Sequence, residues 1–214
     1  MFPFMDPVPR HQCLVYEGPP SRQLPALAAV MREKLQEGYR CLFLNSWPMV
    51  AGMRSYLAVA GVDVAEETAK SSLILSSSQD HLVGGRFELE RMVQTLHDSL
   101  AQSLSDGYEG LWATGDMTWE LGPDKDFAKL LEYEFRLEQF LRENPKMGGI
   151  CQYHAEIMPR NFISQSLLAH SSVFINETLS LLNPFYCHSQ PAMPHSASTM
   201  ELDSFVDRLL QFDA

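Results

Sequence analysis

The sequence lacks the features that mark most membrane, secreted and nucleic-acid-binding proteins. No run approaches the roughly 20 apolar residues of a membrane-spanning helix. The start, MFPFMDP, has neither a basic nor a long apolar segment and predicts no secretory signal. With 16 Lys and Arg against 27 Asp and Glu, the net charge of −11 disfavours binding to nucleic acid or to an anionic membrane. The 4 scattered cysteines are too few for a disulfide framework and predict a reducing, cytoplasmic location.

Also missing are the residues that a phosphate-binding loop needs. Residues 13–17 (CLVYE) predict a short buried strand, and residues 18–22 (GPPSR) lead from it into an amphipathic helix. A working loop in this position has several glycines followed by Lys-Ser or Lys-Thr, but no such pair opens this helix. Pro19 and Pro20 also remove two amide donors. The layout therefore favours a nucleotide-binding fold, whereas the residues disfavour nucleotide chemistry.

What the sequence does have is a regular alternation of strands and helices in one domain of medium size. Strands are predicted at residues 13–17, 41–44, 73–75, 110–114, 149–153 and 172–175, and the longest helices at 24–37, 47–60, 87–104 and 123–142. Glu132–Arg136 and Glu138–Arg142 are expected to form ion pairs on the exposed side of the last helix. This pattern predicts an α/β fold with a mainly parallel central sheet and helices on both faces.

Residues 187–199 interrupt this alternation as a polar, proline-bearing linker between a domain at 10–186 and a short helix at 200–212. That helix has an apolar stripe formed by Leu202, Phe205, Val206, Leu209 and Leu210. Because so short a helix is marginal alone, it needs a surface to lie on. The stripe either docks on its own domain or binds the groove of a partner protein.

Ligands of parallel sheets bind at the carboxyl ends of the strands, near the point where the strand order reverses. The residues that leave those ends combine aromatic walls with a few orienting polar groups, as small-molecule pockets do. We therefore expect a ligand-binding site among Glu17, Gly18, Ser46, Trp47, Asp116, Trp119, Tyr153 and His154.

Catalytic and metal-binding interpretations have weaker support. Cys151 and His154 have C-x-x-H spacing, but residues three apart on a strand point to opposite faces, and no second cysteine pair has metal spacing. Asp116 follows an apolar strand, at the position where phosphate-loop enzymes have an aspartate that binds Mg²⁺, but the Lys-Ser or Lys-Thr pair that such enzymes also need is missing. No strained Gly-x-Ser-x-Gly turn is present for nucleophilic catalysis. We predict no catalytic residue, no metal and no cofactor, with Cys13, Cys41 and Cys151 as packed thiols and Cys187 as the exposed one.

Several ordered segments together resemble one family. HQCLVYEGPP, EGYRCLFLN, GVDV…HLVGGRFELERM, GYEGLWATGDMTWELG, LLEYEFRLEQFLRENP, GGICQYH and NETLSLLNPFY are similar to the MEDS domain, the sensory domain of methanogens and methylotrophs. The resemblance implies a RecA-like ATPase fold with a degenerate phosphate loop and no retained hydrolysis. It also implies sensing of small organic compounds, often beside a histidine-kinase or DNA-binding module. This chain shows neither module, so we expect its output to pass through a partner, through its tail or through a homodimer.

Three hypotheses follow. The leading one is a non-enzymatic sensory domain that binds a small organic molecule and signals through a partner such as a kinase or transcription regulator. The first alternative is a divergent RecA-like ATPase that uses Asp116, with Arg22 as a weak phosphate clamp. The second alternative is an interaction module that acts through the helix at 200–212.

Overall fold

A computed structural model of the chain describes residues 10–77, 86–120, 125–187 and 196–211, without the side chains of 119, 120 and 196–199. Seven strands form one sheet in the order β3-β2-β4-β5-β1-β6-β7. Neighbouring strands are parallel, except that β7 runs antiparallel to β6. The strands are β1 His11–Tyr16, β2 Arg40–Asn45, β3 Leu73–Ser77, β4 Leu111–Asp116, β5 Met147–His154, β6 Ser172–Asn176 and β7 Leu179–Leu182. The predicted α/β fold with a mainly parallel sheet is confirmed.

Helices cover both faces of this sheet. They are α1 Leu24–Gln36, α2 Trp47–Val59, α3 Val64–Ala69, α4 Leu89–Ser105, α5 Met117–Glu120, α6 Phe127–Glu143, α7 Arg160–Leu167 and α8 Ser196–Leu210. Side chains of α1 and α2 form the apolar core on one face, and those of α4, α6, α7 and α8 form the core on the other. Every residue of β1, β2 and β5 is buried, as expected for strands covered on two sides.

Several details of the sequence prediction are corrected. Helix α6 begins at Phe127 rather than near residue 123, because the Asp126 side chain accepts a hydrogen bond from the Lys129 amide and caps the helix there. The prediction did not contain α3, α5, α7 or β7, which have 4 to 8 residues and too little periodicity to stand out. Cys13, Cys41 and Cys151 are buried thiols as predicted, but Cys187 is partly buried rather than exposed.

The C-terminal helix α8 lies on its own domain. Leu202, Phe205, Val206 and Leu209 are buried in the core beside α7, and Leu210 packs against it. Arg160 of α7 donates to the Asp203 carbonyl and to the Asp207 carboxylate of α8. In this arrangement the apolar stripe is not available to a partner groove, which corrects the partner-binding assignment of these residues. The interaction hypothesis would need α8 to detach.

Close packing of the backbone explains one unusual glycine pair at the centre of the sheet. A Cβ atom on Gly149 of β5 would lie 2.0 Å from the carbonyl oxygen of Ala113 in β4, and one on Gly148 would lie 2.5 Å from the ring of Trp112. Both positions therefore require glycine.

Among the described helices, none is both long and apolar enough to cross a membrane.

Candidate functional site

Three polar side chains meet where β1, β4 and β5 end. The Tyr16 hydroxyl donates to Oδ2 of Asp116 over 3.4 Å, and the rings of Tyr16 and His154 have centroids 4.9 Å apart. All three side chains are buried. They come together because parallel strands bring their carboxyl ends to one edge of the sheet. We call this group the strand-end site.

Asp116 of the strand-end site has a shifted pKa. Burial raises the pKa of its carboxyl group above the ordinary value of 3.8, although hydrogen bonds from Thr118 and Tyr16 and the charge of His154 act in the opposite direction. The amide and hydroxyl of Thr118 both donate to Oδ1, at 2.8 and 2.5 Å. Asp116 is therefore held firmly in place and takes up a proton more readily than an exposed aspartate.

The loop after β1, for which the sequence predicts a degenerate phosphate loop, lies next to this site. Gly18 has a φ of 74°, Pro19 is extended, and residues Pro20–Gln23 form one 3-10 turn before α1. The Gly18 amide, which in a phosphate loop would face the ligand, donates to Oε2 of Glu156 over 3.3 Å. A carboxylate of the protein thus occupies a donor that a phosphate would need, and its negative charge disfavours a second anion there.

The other residues expected at this site are dispersed. Glu17 and Trp47 are exposed, the latter at 71%, and Ser46 caps α2 without a side-chain hydrogen bond to it. The Trp119 side chain lies outside the described residues. Tyr153 belongs to the apolar core beside α4 and α6, whereas its neighbour His154 faces Tyr16. Successive side chains of a strand point to opposite faces, so the expected grouping of Tyr153 with Asp116 is corrected.

A second polar group lies on the face of the sheet to which Tyr153 points. His11 of β1, Glu134 of α6, Cys151 of β5 and His170 after α7 place one ligand-type atom each within 4.8 Å of one another, and all four side chains are buried. His11 Nε2 lies 3.6 Å from Glu134 Oε2 and 3.6 Å from Cys151 Sγ. His170 Nε2 lies 3.5 Å from the same Glu134 oxygen. We call these four residues the buried cluster.

The two imidazoles of the buried cluster have opposite pKa shifts. Burial lowers the pKa of His11, but the nearby carboxylates of Glu134 and Glu138, the second of them hydrogen-bonded to Nδ1, outweigh it and raise that pKa to about 9. Burial and the charge of His11 hold the pKa of His170 well below its usual 6.5, despite a hydrogen bond to the Ser166 carbonyl. Burial and the Glu134 charge also raise the pKa of the nearby Tyr153 hydroxyl. The cluster thus carries one imidazolium, on His11.

Several buried polar atoms here have no hydrogen-bond partner in the part of the chain that the structure describes: both carboxylate oxygens of Glu134, Nε2 of His170 and the Tyr153 hydroxyl. Each such atom has left water without a full replacement, which costs about 1–3 kcal/mol or more for a charged group. Their concentration at one point is unusual, because buried polar groups in folded proteins normally find partners.

The sequence analysis missed the buried cluster, since its members stand far apart at positions 11, 134, 151 and 170. Glu138 was expected on the exposed side of α6 with Arg142. It is in fact buried, and it accepts hydrogen bonds from His11 Nδ1 at 2.9 Å and from the Tyr186 hydroxyl. One signal was available: Glu134 and Glu138 follow Leu130 at helical spacing and share its inward face. Two acidic residues in an apolar stripe indicate a buried polar site.

A small cavity adjoins the buried cluster between the sheet and helices α4 and α6. Its volume is about 30 Å³, and His11 and Cys151 form part of its wall, together with apolar side chains that include Leu96 and Leu137. A space of this size holds one or two water molecules or a very small apolar group.

Comparisons with known proteins add to this geometry. The chain is similar to the structure of an uncharacterized protein, PH0321, from Pyrococcus horikoshii in complex with an unknown peptide, at 14% identity and a TM-score of 0.53, covering 84% of this chain and 86% of that one. It is also similar to the flagellar accessory protein FlaH from Methanocaldococcus jannaschii, at 12% identity and a TM-score of 0.48, covering 78% and 71%.

At 14% identity the likeness to the first of these structures concerns the fold alone, an α/β architecture with a mainly parallel sheet. A comparison with curated protein sequences finds no match. A sequence model described as "MEthanogen/methylotroph, DcmR Sensory domain" matches residues 10–171, about three quarters of the chain and the part that contains both polar sites. The chain belongs to the MEDS family of sensory domains.

Proposed function

We propose that this sensory domain is not an enzyme, and that it binds a small organic molecule at the strand-end site and signals through a partner protein. The convergence of Tyr16, Asp116 and His154 at the carboxyl edge of three adjoining strands carries the proposal. Such an edge is where α/β sheets bind their ligands. A buried hydroxyl, carboxyl and imidazole beside an aromatic ring suit a compact ligand with one or two hydrogen-bonding groups.

The neighbouring loop supports an organic ligand rather than a nucleotide. Pro19 and Pro20 lack amide donors, and the Gly18 amide is paired with Glu156. Arg22 places a basic side chain beside this loop: its Nη1 atom lies 3.5 Å from the position that a Cβ on Gly18 would take. One guanidinium beside a carboxylate offers a triphosphate little net attraction, so the divergent ATPase is the alternative that the experiment below must distinguish.

A route from the strand-end site to the rest of the domain follows from the chain. His154 begins the turn that holds Glu156, and Glu156 and His154 come within 4.0 Å of each other. This turn leads directly into α7, which packs against α8. A ligand that prefers one position of the turn would thereby bias the α7–α8 pair, and a partner such as a kinase or transcription regulator could read that bias.

The free cysteines support a reducing location. Cys13, Cys41 and Cys151 are buried without forming disulfides, and burial raises the pKa of the Cys13 and Cys41 thiols well above the ordinary value. Such thiols behave as packed side chains. We infer that the domain works in the cytoplasm.

A thermal-stability screen tests the proposal. The wild type is heated with short alcohols, methylated amines, small haloalkanes and short carboxylic acids, and separately with ATP and Mg²⁺. A ligand present at 100 times its dissociation constant adds about 2.7 kcal/mol to the free energy of unfolding. For a chain of this size that raises the melting temperature by roughly 5–11 °C.

Two variants locate the binding site of any stabilising compound. Asp116→Ala should abolish the stabilisation, whereas Asp98→Ala, on the exposed side of α4, should leave it intact. Stabilisation by ATP with Mg²⁺ alone would favour the ATPase alternative. Stabilisation by an organic compound that survives Asp116→Ala would move the ligand away from the strand-end site.

A further inference from the structure

The geometry points to a tetrahedral zinc site formed by His11, Glu134, Cys151 and His170, on the opposite face of the sheet from the strand-end site. Imidazole, thiolate and carboxylate are the ligands that Zn²⁺ takes in proteins, in sets of four for structural sites. One residue comes from each of β1, α6, β5 and the segment after α7, so that the ion would join four separate elements.

The distances between ligand atoms support zinc coordination. With Zn–N and Zn–O near 2.1 Å and Zn–S near 2.3 Å, tetrahedral geometry separates N and O by about 3.4 Å, and N and S by about 3.6 Å. The corresponding distances are 3.6 Å for His11 to Glu134, 3.5 Å for His170 to Glu134 and 3.6 Å for His11 to Cys151. The two nitrogen–oxygen contacts are too long for good hydrogen bonds, whereas the His11–Cys151 contact has the length of a hydrogen bond to sulfur. All three distances suit the edges of a coordination tetrahedron.

The outer hydrogen bonds orient both imidazoles toward the same point. Nδ1 of His11 lies 2.9 Å from Glu138 Oε2 and 3.0 Å from the Ala169 carbonyl, and Nδ1 of His170 lies 2.7 Å from the Ser166 carbonyl. These partners can only accept, so each Nδ1 carries a proton and each Nε2 faces the cluster. Histidines that bind metals are held in this way, by a carboxylate or carbonyl on the other ring nitrogen.

A separate observation supports a bound cation: polar atoms of Glu134 and His170 are buried without hydrogen bonds to any residue that the structure describes. Both oxygens of Glu134 and Nε2 of His170 are buried without a hydrogen-bond partner in the described part of the chain, and Glu134 Oε2 and His170 Nε2 face each other within the cluster. A divalent cation bound by one thiolate and one carboxylate makes a site of zero net charge. Zn²⁺ would therefore satisfy atoms that the protein alone leaves unsatisfied, and would replace the protons on His11 Nε2 and on the Cys151 thiol.

Metal analysis of the full-length protein tests this inference. The protein is refolded from denaturant with Zn²⁺ or with Co²⁺, dialysed, and analysed for bound metal by mass spectrometry and for the Co²⁺ absorption spectrum. We expect one metal ion per chain, a tetrahedral Co²⁺ spectrum and a charge-transfer band from a thiolate. Glu138→Gln keeps all four ligands but weakens the orientation of His11, and should lower Zn²⁺ affinity by about 10–100-fold.

Two cysteines provide matched controls. Cys13 of β1 lies opposite Cys151 in the register of β1 and β5, and both free thiols are buried. Cys13 is nevertheless not one of the four residues of the buried cluster. Cys151→Ser should remove the charge-transfer band and weaken Zn²⁺ binding by at least about 100-fold, whereas Cys13→Ser and Cys187→Ser should retain both. If Cys151→Ser does not fold, the charge-transfer band of the Co²⁺ forms of the wild type and of Cys187→Ser still tests whether a buried thiolate binds the metal. Wild-type protein that retains no metal after refolding, or equal binding by Cys151→Ser and Cys13→Ser, would overturn the inference.

Discussion

The docking of α8 makes a quantitative prediction for Leu202. This side chain is 2% exposed, in the core between α8 and the rest of the domain, whereas Met200 on the same helix is 75% exposed. Replacing a buried leucine by alanine removes its apolar contacts and leaves a cavity, which costs about 2–5 kcal/mol of the free energy of unfolding. An exposed substitution costs less than about 0.5 kcal/mol.

For a chain of this length, each kcal/mol lowers the melting temperature by about 2–4 °C. We therefore expect Leu202→Ala to melt roughly 4–20 °C below the wild type and Met200→Ala within about 2 °C of it. Far-ultraviolet circular dichroism, to which all helices contribute, follows the unfolding of the whole domain. Alanine favours helix in both variants, so helix propensity does not explain a difference between them.

Equal melting temperatures for the two variants would refute this reasoning. That result would mean that α8 spends its time away from the domain and that the stability of the core does not depend on it. The stripe formed by Leu202, Phe205, Val206, Leu209 and Leu210 would then be free for a partner, as the interaction hypothesis requires.

Two further predictions concern the sheet and the strand-end site. Because burial raises the pKa of Asp116, its contribution to stability is present below about pH 4 and is lost as pH rises through the raised pKa. The free energy of unfolding of Asp116→Asn, measured with urea, should therefore rise relative to that of the wild type as pH rises from about 4 to 7. A difference between the two free energies that stays constant across this range would contradict the pKa argument. Gly149→Ala should unfold at a much lower urea concentration than Gly52→Ala, since its Cβ meets a backbone carbonyl whereas that of Gly52 meets the flexible end of Leu24; similar midpoints would contradict the close approach of β4 and β5.

The sequence was sufficient to predict the sheet because its signals are local. Apolar runs such as residues 41–44 predict buried strands, and helix α4 has buried apolar side chains at helical spacing from Leu89 to Leu100. The resemblance to the MEDS domain added the family and the RecA-like fold. Short elements such as α3 and β7 depend on tertiary contacts, so no local pattern predicts them.

The sites were harder to predict because they depend on which face each residue takes. Asp116 and His154 were expected at the carboxyl edge and do come together there, with Tyr16 as an unexpected third member. Tyr153 is one residue from His154 but points to the other face of β5. The partners of His11 lie up to 159 positions away along the chain, and their meeting requires the strand order and the placement of α6, which no motif encodes.

Calorimetric titration of the wild type with ATP and Mg²⁺ tests the central claim most directly, namely that the loop after β1 no longer serves a phosphate. The account predicts no saturable heat and no hydrolysis, because the Gly18 amide is paired with Glu156 and two prolines follow it. Saturable binding of ATP, with hydrolysis that disappears in Asp116→Ala, would contradict the account and identify the domain as a divergent ATPase.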